Sequence, residues 1–286
     1  MIHNRKLAAY LLPAFWAFIV FLAISVPAAA VPPARLRIHF LDVGQGECIL
    51  VQTPGGRNLL IDAGSERSGQ AIKNYLAKQQ VNRLDVVVGT YPQTDHIGSL
   101  DAIIRTYAIG QVYLPKVRTA SQKFAAVQAA IRAKGLKIDR PAAGSLIPLD
   151  PALQVTILAP NSPRYRHFNE YSIVLKIGYG KTAFLLTGDA GRESEREMLA
   201  HGYDLRADLL KVGHHGSDSS SMGKFLAAVL PKYAVISVGK WNSFNFPGKN
   251  TLKRLKLFGA SVYRTDYNGT IVAVSDGKTI QLQTSR

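Results

Sequence analysis

Residues 84–100 read LDVVVGTYPQTDHIGSL. Leu84 to Val88 has the length and β-branched content of a buried strand, and Gly89 ends it. The loop that follows finishes on Asp95 and His96, an oxygen and a nitrogen donor side by side, a pair suited to Mn²⁺ or Zn²⁺. At the alternate positions before them stand Tyr91 and Gln93, poor ligands that bring no negative charge at neutral pH. A strand running directly into a ligand-bearing loop is typical of an α/β sheet, whose binding sites lie at the carboxyl ends of strands.

Four further loops follow strand-like runs and share this character: DVGQGE (42–47), IDAG (61–64), TGDAG (187–191) and GHHGSDSSS (213–221). Each alone is an ordinary turn, but together they supply the carboxylates and imidazoles of a hydrolytic metal centre. RLRIHFLDV alternates polar and apolar residues and predicts a half-buried strand. CILVQT and RNLLIDAG flank Pro54-Gly55-Gly56 as a hairpin. GQAIKNYLAKQQ, LDAIIRTYA and TASQKFAAVQAAIRAKG read as helices, with LDVVVGT and QVYLP as strands among them. Then come the strands LQVTILAP, SIVLKIGYG and TAFLLTGD, and the helix RESEREMLAHG with Gly202 at its end. ADLLKVG, KFLAAVL, YAVISVG, TLKRLKLFG and SVYRTD alternate strand and helix, and a hairpin turning at Asp276-Gly277 closes the chain. Hairpin strands followed by strand–helix alternation, twice over, predict an α/β fold: a four-layer αββα sandwich in one domain.

The 286 residues carry a formal charge of +16. That excess speaks to partners rather than to fold, and points to DNA or another polyanion. Ser219 to Thr265 holds eight basic residues and no acid, and Ala102 to Ile138 holds seven and no acid. In the first stretch, Lys240, Lys249, Lys253, Arg254 and Lys256 are candidates for phosphate contact. The single cysteine, Cys48, excludes an intrachain disulfide and a thiolate zinc site, and reads as a buried strand residue. After the basic start Met1–Lys6, no charge occurs from Leu7 to Pro33, and the segment ends in VPAAAVPP. Residues 1–34 are therefore expected to be a signal peptide or a single N-terminal membrane anchor plus linker. The domain at 35–286 would then be exported, either periplasmic or held at the outer face of the inner membrane.

Ile61-Asp-Ala-Gly, Thr90-x-x-x-x-Asp-His-Ile-Gly98, Leu186-Thr-Gly-Asp189 and Val212-Gly-His-His-Gly-Ser217 resemble, in this order, the metallo-β-lactamase superfamily. FLDVGQGE, FLLTGD, LLKVGHHGS, PKYAVISVG and YRTDYNGTI are similar to the soluble domain of ComEC-type DNA-uptake proteins. The resemblance covers nearly all of residues 36–275 and implies the αββα sandwich reached above. Its metal loop is His-x-His-x-Asp-His, or His-x-Asp-x-Asp-His in the ComEC branch. By this resemblance the first histidine falls on Tyr91, the second ligand on Gln93, and the last two on Asp95 and His96. The bridging aspartate falls on Asp189, and a late histidine falls on Phe246. One metal position is thus dismantled. The other keeps Asp95, His96 and Asp189, room for one divalent cation, Mn²⁺ or Zn²⁺, and an argument against two.

The remaining candidates follow from the same loops. His214 or His215 would manage protons or hold a phosphate. Asp62 is either a carboxylate that orients a ligand or a helix N-cap. SDSSS reads as a helix start whose hydroxyls cap MGKFLAAVL, with Ser217 near enough to contact a phosphate oxygen. These residues support an exported hydrolase acting on phosphodiesters or DNA through a mono-metal site. The alternative is an inactive family member that binds DNA or another polyanion, with Tyr91, Trp241 and Phe246 stacking on bases. Hydrolysis of β-lactams or thioesters fits poorly, because it depends on the missing histidines.

Overall fold

The computed structural model describes residues 35–286, and the leader expected over 1–34 lies outside the described residues. The chain opens with an antiparallel ribbon of β1 (Leu36–Phe40), β2 (Ile49–Gln52) and β3 (Asn58–Ile61). After α1 (Gly69–Lys78), the strands become parallel through β4 (Arg83–Val88), β5 (Ala108–Tyr113) and β6 (Ile138–Asp139). Between β4 and β5 lie α2 (Thr94–Ile97) and α3 (Leu100–Thr106), and between β5 and β6 lies α4 (Gln122–Ala133).

The second half repeats the scheme. β7 (Gln154–Ala159), β8 (Val174–Tyr179) and β9 (Thr182–Leu186) are antiparallel. Through α5 (Arg192–Ala200), β10 (Leu209–Lys211), α6 (Gly223–Val229), β11 (Tyr233–Ile236), α7 (Lys249–Leu257) and β12 (Ser261–Arg264), the strands run parallel. A short α8 (Thr265–Asn268) leads back to the first sheet, where β13 (Ile271–Ser275) and β14 (Ile280–Thr284) pair beside β1. The result is an eight-stranded sheet, β14-β13-β1-β2-β3-β4-β5-β6, and a six-stranded sheet, β12-β11-β10-β9-β8-β7.

Three apolar clusters hold four layers together. Phe40, Ile61, Phe184 and Leu209 belong to the one between the sheets. Leu60, Ile72, Ile103 and Val127 pack the first sheet against its helices, and Leu210, Met198, Phe225 and Leu255 do the same for the second. Each such side chain withdrawn from water contributes about 1.5–3 kcal/mol. This is the predicted αββα sandwich.

Two local readings are corrected. β1 is not half-exposed: His39 is buried and its Nδ1 lies 2.9 Å from the Tyr75 hydroxyl of α1, because helices cover that face of the sheet. The serines of SDSSS do not cap α6. The two N–H groups just ahead of the helix, Ser221 N and Met222 N, donate to the carboxylate of Glu195 on α5. The start of α5 is held in the same way: Gly191 N and Ser194 N donate to Glu170 Oε2 at 3.1 and 2.9 Å. Carboxylates at helix N-termini meet orphan N–H groups and the positive end of the helix dipole. Seven of the nineteen acidic residues are buried, including Glu47, Glu170 and Glu195, whereas Lys211 is the one buried Lys or Arg among the described residues.

Candidate metal centre

β4 delivers its loop onto the single turn of α2, which presents Asp95 and His96. The DVGQGE loop lies against this turn, with Glu47 N donating to Asp95 O at 3.0 Å. Gly46, at φ +146°, approaches so closely that a Cβ would strike the Asp95 carbonyl, so the position admits glycine only.

His96 is fully buried, with both ring nitrogens close to carboxylate oxygens. Its Nδ1 is 2.7 Å from Asp62 Oδ2, and its Nε2 is 3.2 Å from Asp189 Oδ1. Asp62 is held in turn by Thr90 N at 2.7 Å and Thr90 Oγ1 at 2.6 Å. Its geometry is that of an orienting carboxylate, not a helix cap. His215 has the same design: Nδ1 donates to the Ser237 carbonyl at 2.8 Å, and Nε2 lies 3.2 Å from Asp95 Oδ2 and 3.6 Å from Asp189 Oδ1.

Both imidazoles therefore direct Nε2 at carboxylate oxygens, an approach that calls for a cation or a proton between them. His96 Nε2 and Asp189 Oδ1 are buried with no hydrogen-bond partner, as atoms awaiting such a cation would be. A proton answers the same demand. Burial opposes charge on His96, but Asp189 and Asp62 outweigh it and push its pKa well above the usual range. Burial likewise opposes ionisation of Asp189, yet His96 and His215 hold it far below the usual range. Ligand atoms of Asp95, His96 and His215 lie within 4.8 Å of one another, as do those of Glu47, Asp189 and His215. Two imidazole nitrogens and two carboxylate oxygens form a donor set that Zn²⁺ or Mn²⁺ accepts.

The backbone at these positions is costly. Asp62, His214 and His215 have φ of 59°, 49° and 52°, the left-handed region that side chains disfavour by about 1–3 kcal/mol each. Such outliers persist where surrounding contacts dictate them.

Beside this cluster Tyr91, Asn169 and His214 make a neutral network. The buried Tyr91 hydroxyl donates to Asn169 Oδ1 at 2.9 Å. Burial, then Asp189 and Asp95, raises its pKa, so it stays a phenol. Asn169 Nδ2 lies 3.2 Å from His214 Nδ1 and 3.5 Å from Asp189 Oδ2. His214 is partly exposed, its pKa is lowered by burial, and its Nε2 is 3.9 Å from Asp189 Oδ2. Phe246, where a late histidine was expected, packs its ring 5.2 Å from that of His214. Gln93 is exposed.

Of the candidates for polyanion contact, Lys249, Lys253 and Lys256 share one exposed face of α7, and Lys240 lies over the exposed ring of Trp241. Arg254 and Ser217 do not belong with them. The Arg254 guanidinium donates to the carbonyls of Ser220 and Ser221 and to Thr251 Oγ1, fastening the site loop to α7. Ser217 is buried, its hydroxyl 3.0 Å from that of Ser219.

Sequence reading missed Asn169, whose segment HFNEYS carries no ligand-type pattern. It also missed the pairing of Glu47 with Lys211, both fully buried at 2.5 Å behind Asp189 and His215. The apolar setting of Lys211 in ADLLKVG was the available signal.

The family model of the metallo-beta-lactamase superfamily matches residues 41–240. ComE operon protein 3 of Bacillus subtilis is 31% identical over 251 residues, 82% of this chain and 32% of that protein. Competence protein ComA of Neisseria gonorrhoeae is 29% identical over 250 residues, 87% of this chain and 33% of that protein. The chain thus spans about a third of the length of these curated relatives. Among solved structures, the metallo-beta-lactamase fold protein YhfI from Bacillus subtilis shares the fold at TM-score 0.53 and 15% identity, over 85% of this chain and 100% of that one. The chain belongs to the metallo-beta-lactamase superfamily, and the two relatives above place it with the ComEC-type competence proteins.

Proposed function

We propose that the domain is a metal-dependent phosphodiesterase acting on nucleic acid outside the cytoplasm, with one divalent cation, Mn²⁺ or Zn²⁺. The observation that carries this reading is the convergence of His96 Nε2 and His215 Nε2 on Asp95 and Asp189, with both Nδ1 atoms already committed. These four residues would hold the ion. When bound, such a cation acts as a Lewis acid toward a phosphoryl oxygen and eases deprotonation of water at neutral pH. Asp62 and the Ser237 carbonyl keep the two rings aimed. With Asn169 donating to its Nδ1, neutral His214 keeps a proton at Nε2, where it can donate a hydrogen bond to a phosphoryl oxygen. Tyr91 and Asn169 occupy each other and bring no anionic donor of their own for a second ion. Lys240, Lys249, Lys253 and Lys256 would follow the phosphate backbone.

A DNA substrate is supported by the names of the competence relatives. Export rests on residues 1–34. Among the described residues, no helix is long and apolar enough to cross a membrane. The test is metal content by mass spectrometry after incubation with Mn²⁺ or Zn²⁺, beside hydrolysis of bis(p-nitrophenyl) phosphate. One equivalent with hydrolysis, both lost in Asp189→Ala, supports the reading. No metal and no hydrolysis would sink it and leave a basic binding domain.

A further inference from the structure

A cavity of about 650 Å³ opens between the segment after β5 and the segment after β7. Lys116 and Arg118 come from the first segment, Arg164 and Arg166 from the second, and no acidic residue lines it. All four cations are exposed, and none forms an ion pair among the described residues. Four unpaired cations around one concavity repel one another, and an anionic ligand removes that cost.

The rest of the lining is apolar or aromatic: Val117, Pro163, Tyr165, Phe168 and Tyr171. Tyr165 and Tyr171 meet edge to face at 5.0 Å, and both hydroxyls are engaged: Tyr165 N donates to that of Tyr171, and Tyr165 donates to Glu197. Those two rings are fixed wall. Phe168, 49% exposed, presents the free ring. The next residue in the chain is Asn169, which touches Tyr91, Asp189 and His214. The cavity and the candidate metal centre are thus joined through the single turn 168–171.

We propose that this cavity seats one unpaired nucleotide of a single strand, with Arg118, Arg164 and Arg166 on its phosphates and its base stacked on Phe168. Its volume is within the roughly 300–1,000 Å³ of small-ligand sites. In a duplex the base faces are covered by their neighbours, so only a single strand can use the Phe168 ring. The direction in which the strand continues, toward His214 and Asp189, rests on the phosphodiesterase reading; the binding itself does not.

The test is fluorescence anisotropy of a labelled, unstructured single strand and of the blunt duplex it forms with its complement, with the full chain in chelator so that no cleavage occurs. The single strand is expected to bind about tenfold tighter at equal salt, and Phe168→Ala to weaken it by about fivefold or more. Phe168→Tyr restores it, which separates stacking from misfolding. Arg118→Ala, Arg164→Ala and Arg166→Ala together lower the slope of log K against log salt by about 2. Equal affinity for both forms, or no change in Phe168→Ala, overturns the proposal. If bis(p-nitrophenyl) phosphate is not hydrolysed while strand preference and its dependence on Phe168 persist, the hydrolytic reading fails and the cavity stands.

Discussion

The Tyr91 hydroxyl donates to Asn169 Oδ1 at 2.9 Å, at the position where the metallo-β-lactamase pattern has its first histidine. A neutral hydrogen bond has taken the place of a metal ligand, and it closes the space with no charge for a second cation. Tyr91→His with Gln93→Asp and Asn169→His reverses this. Metal content measured by mass spectrometry is expected to rise from one equivalent to two. A stoichiometry fixed at one would mean that the packing, not the missing donors, excludes the second ion.

Asp62 reaches the site only through His96, at 2.7 Å, yet that bond fixes which nitrogen faces Asp189. Partners of this kind are worth about 10–100-fold in metal affinity. Asp62→Asn is expected to weaken binding of Mn²⁺ or Zn²⁺ by that order in a chelator competition titration, with the fold retained. Unchanged affinity would show that packing alone orients His96.

Lys211 and Glu47 form an ion pair with no access to water. Removing one partner strands a buried charge, at about 3–5 kcal/mol, whereas replacing both with apolar residues is often nearly neutral. In metal-free protein, Lys211→Met should lower the thermal midpoint sharply, and Lys211→Met with Glu47→Leu should recover most of the loss. Equal melting of the single and double variants would refute this account of the pair.

His39 makes the fold sensitive to acid. Burial, then the charge of Arg37, lowers its pKa to about 4. The folded state keeps the ring neutral, while the unfolded chain takes up a proton below about pH 6.5, so stability is lost as pH falls from about 6.5 to 4, by about 3 kcal/mol. His39→Gln, which leaves Tyr75 a polar partner, should flatten the thermal midpoint over that window relative to the parent. An equal acid slope in both proteins would place the sensitivity elsewhere.

The layers were readable because apolar periodicity and Gly or Pro punctuation are local: LDVVV, VISV and KFLAAV each betray their element within a few residues. The site was readable only as far as its loops. That Asp95 and His96 stand together is written in two adjacent letters. That His215 aims its Nε2 at Asp95, 120 residues away, depends on the Ser237 carbonyl behind it and on a left-handed backbone, neither of which leaves a mark in composition. The same holds for Glu195 holding Ser221 N and Met222 N ahead of α6 and for Arg254 turned inward, since each answers a backbone group contributed by a distant segment. His39 was misjudged because alternation identifies the two faces of a strand but not what covers the second one.

The burial of seven acids against one lysine means that the formal charge understates what an approaching molecule meets. Much of the negative charge acts inward, on helix ends, ring nitrogens and an ammonium, where nearby protein dipoles largely cancel it. The outer field is weighted further toward the arginines and lysines. A polyanion is therefore attracted by a domain seven of whose nineteen acids have been withdrawn from competition, and added salt should slow its capture more steeply than a count of residues would suggest.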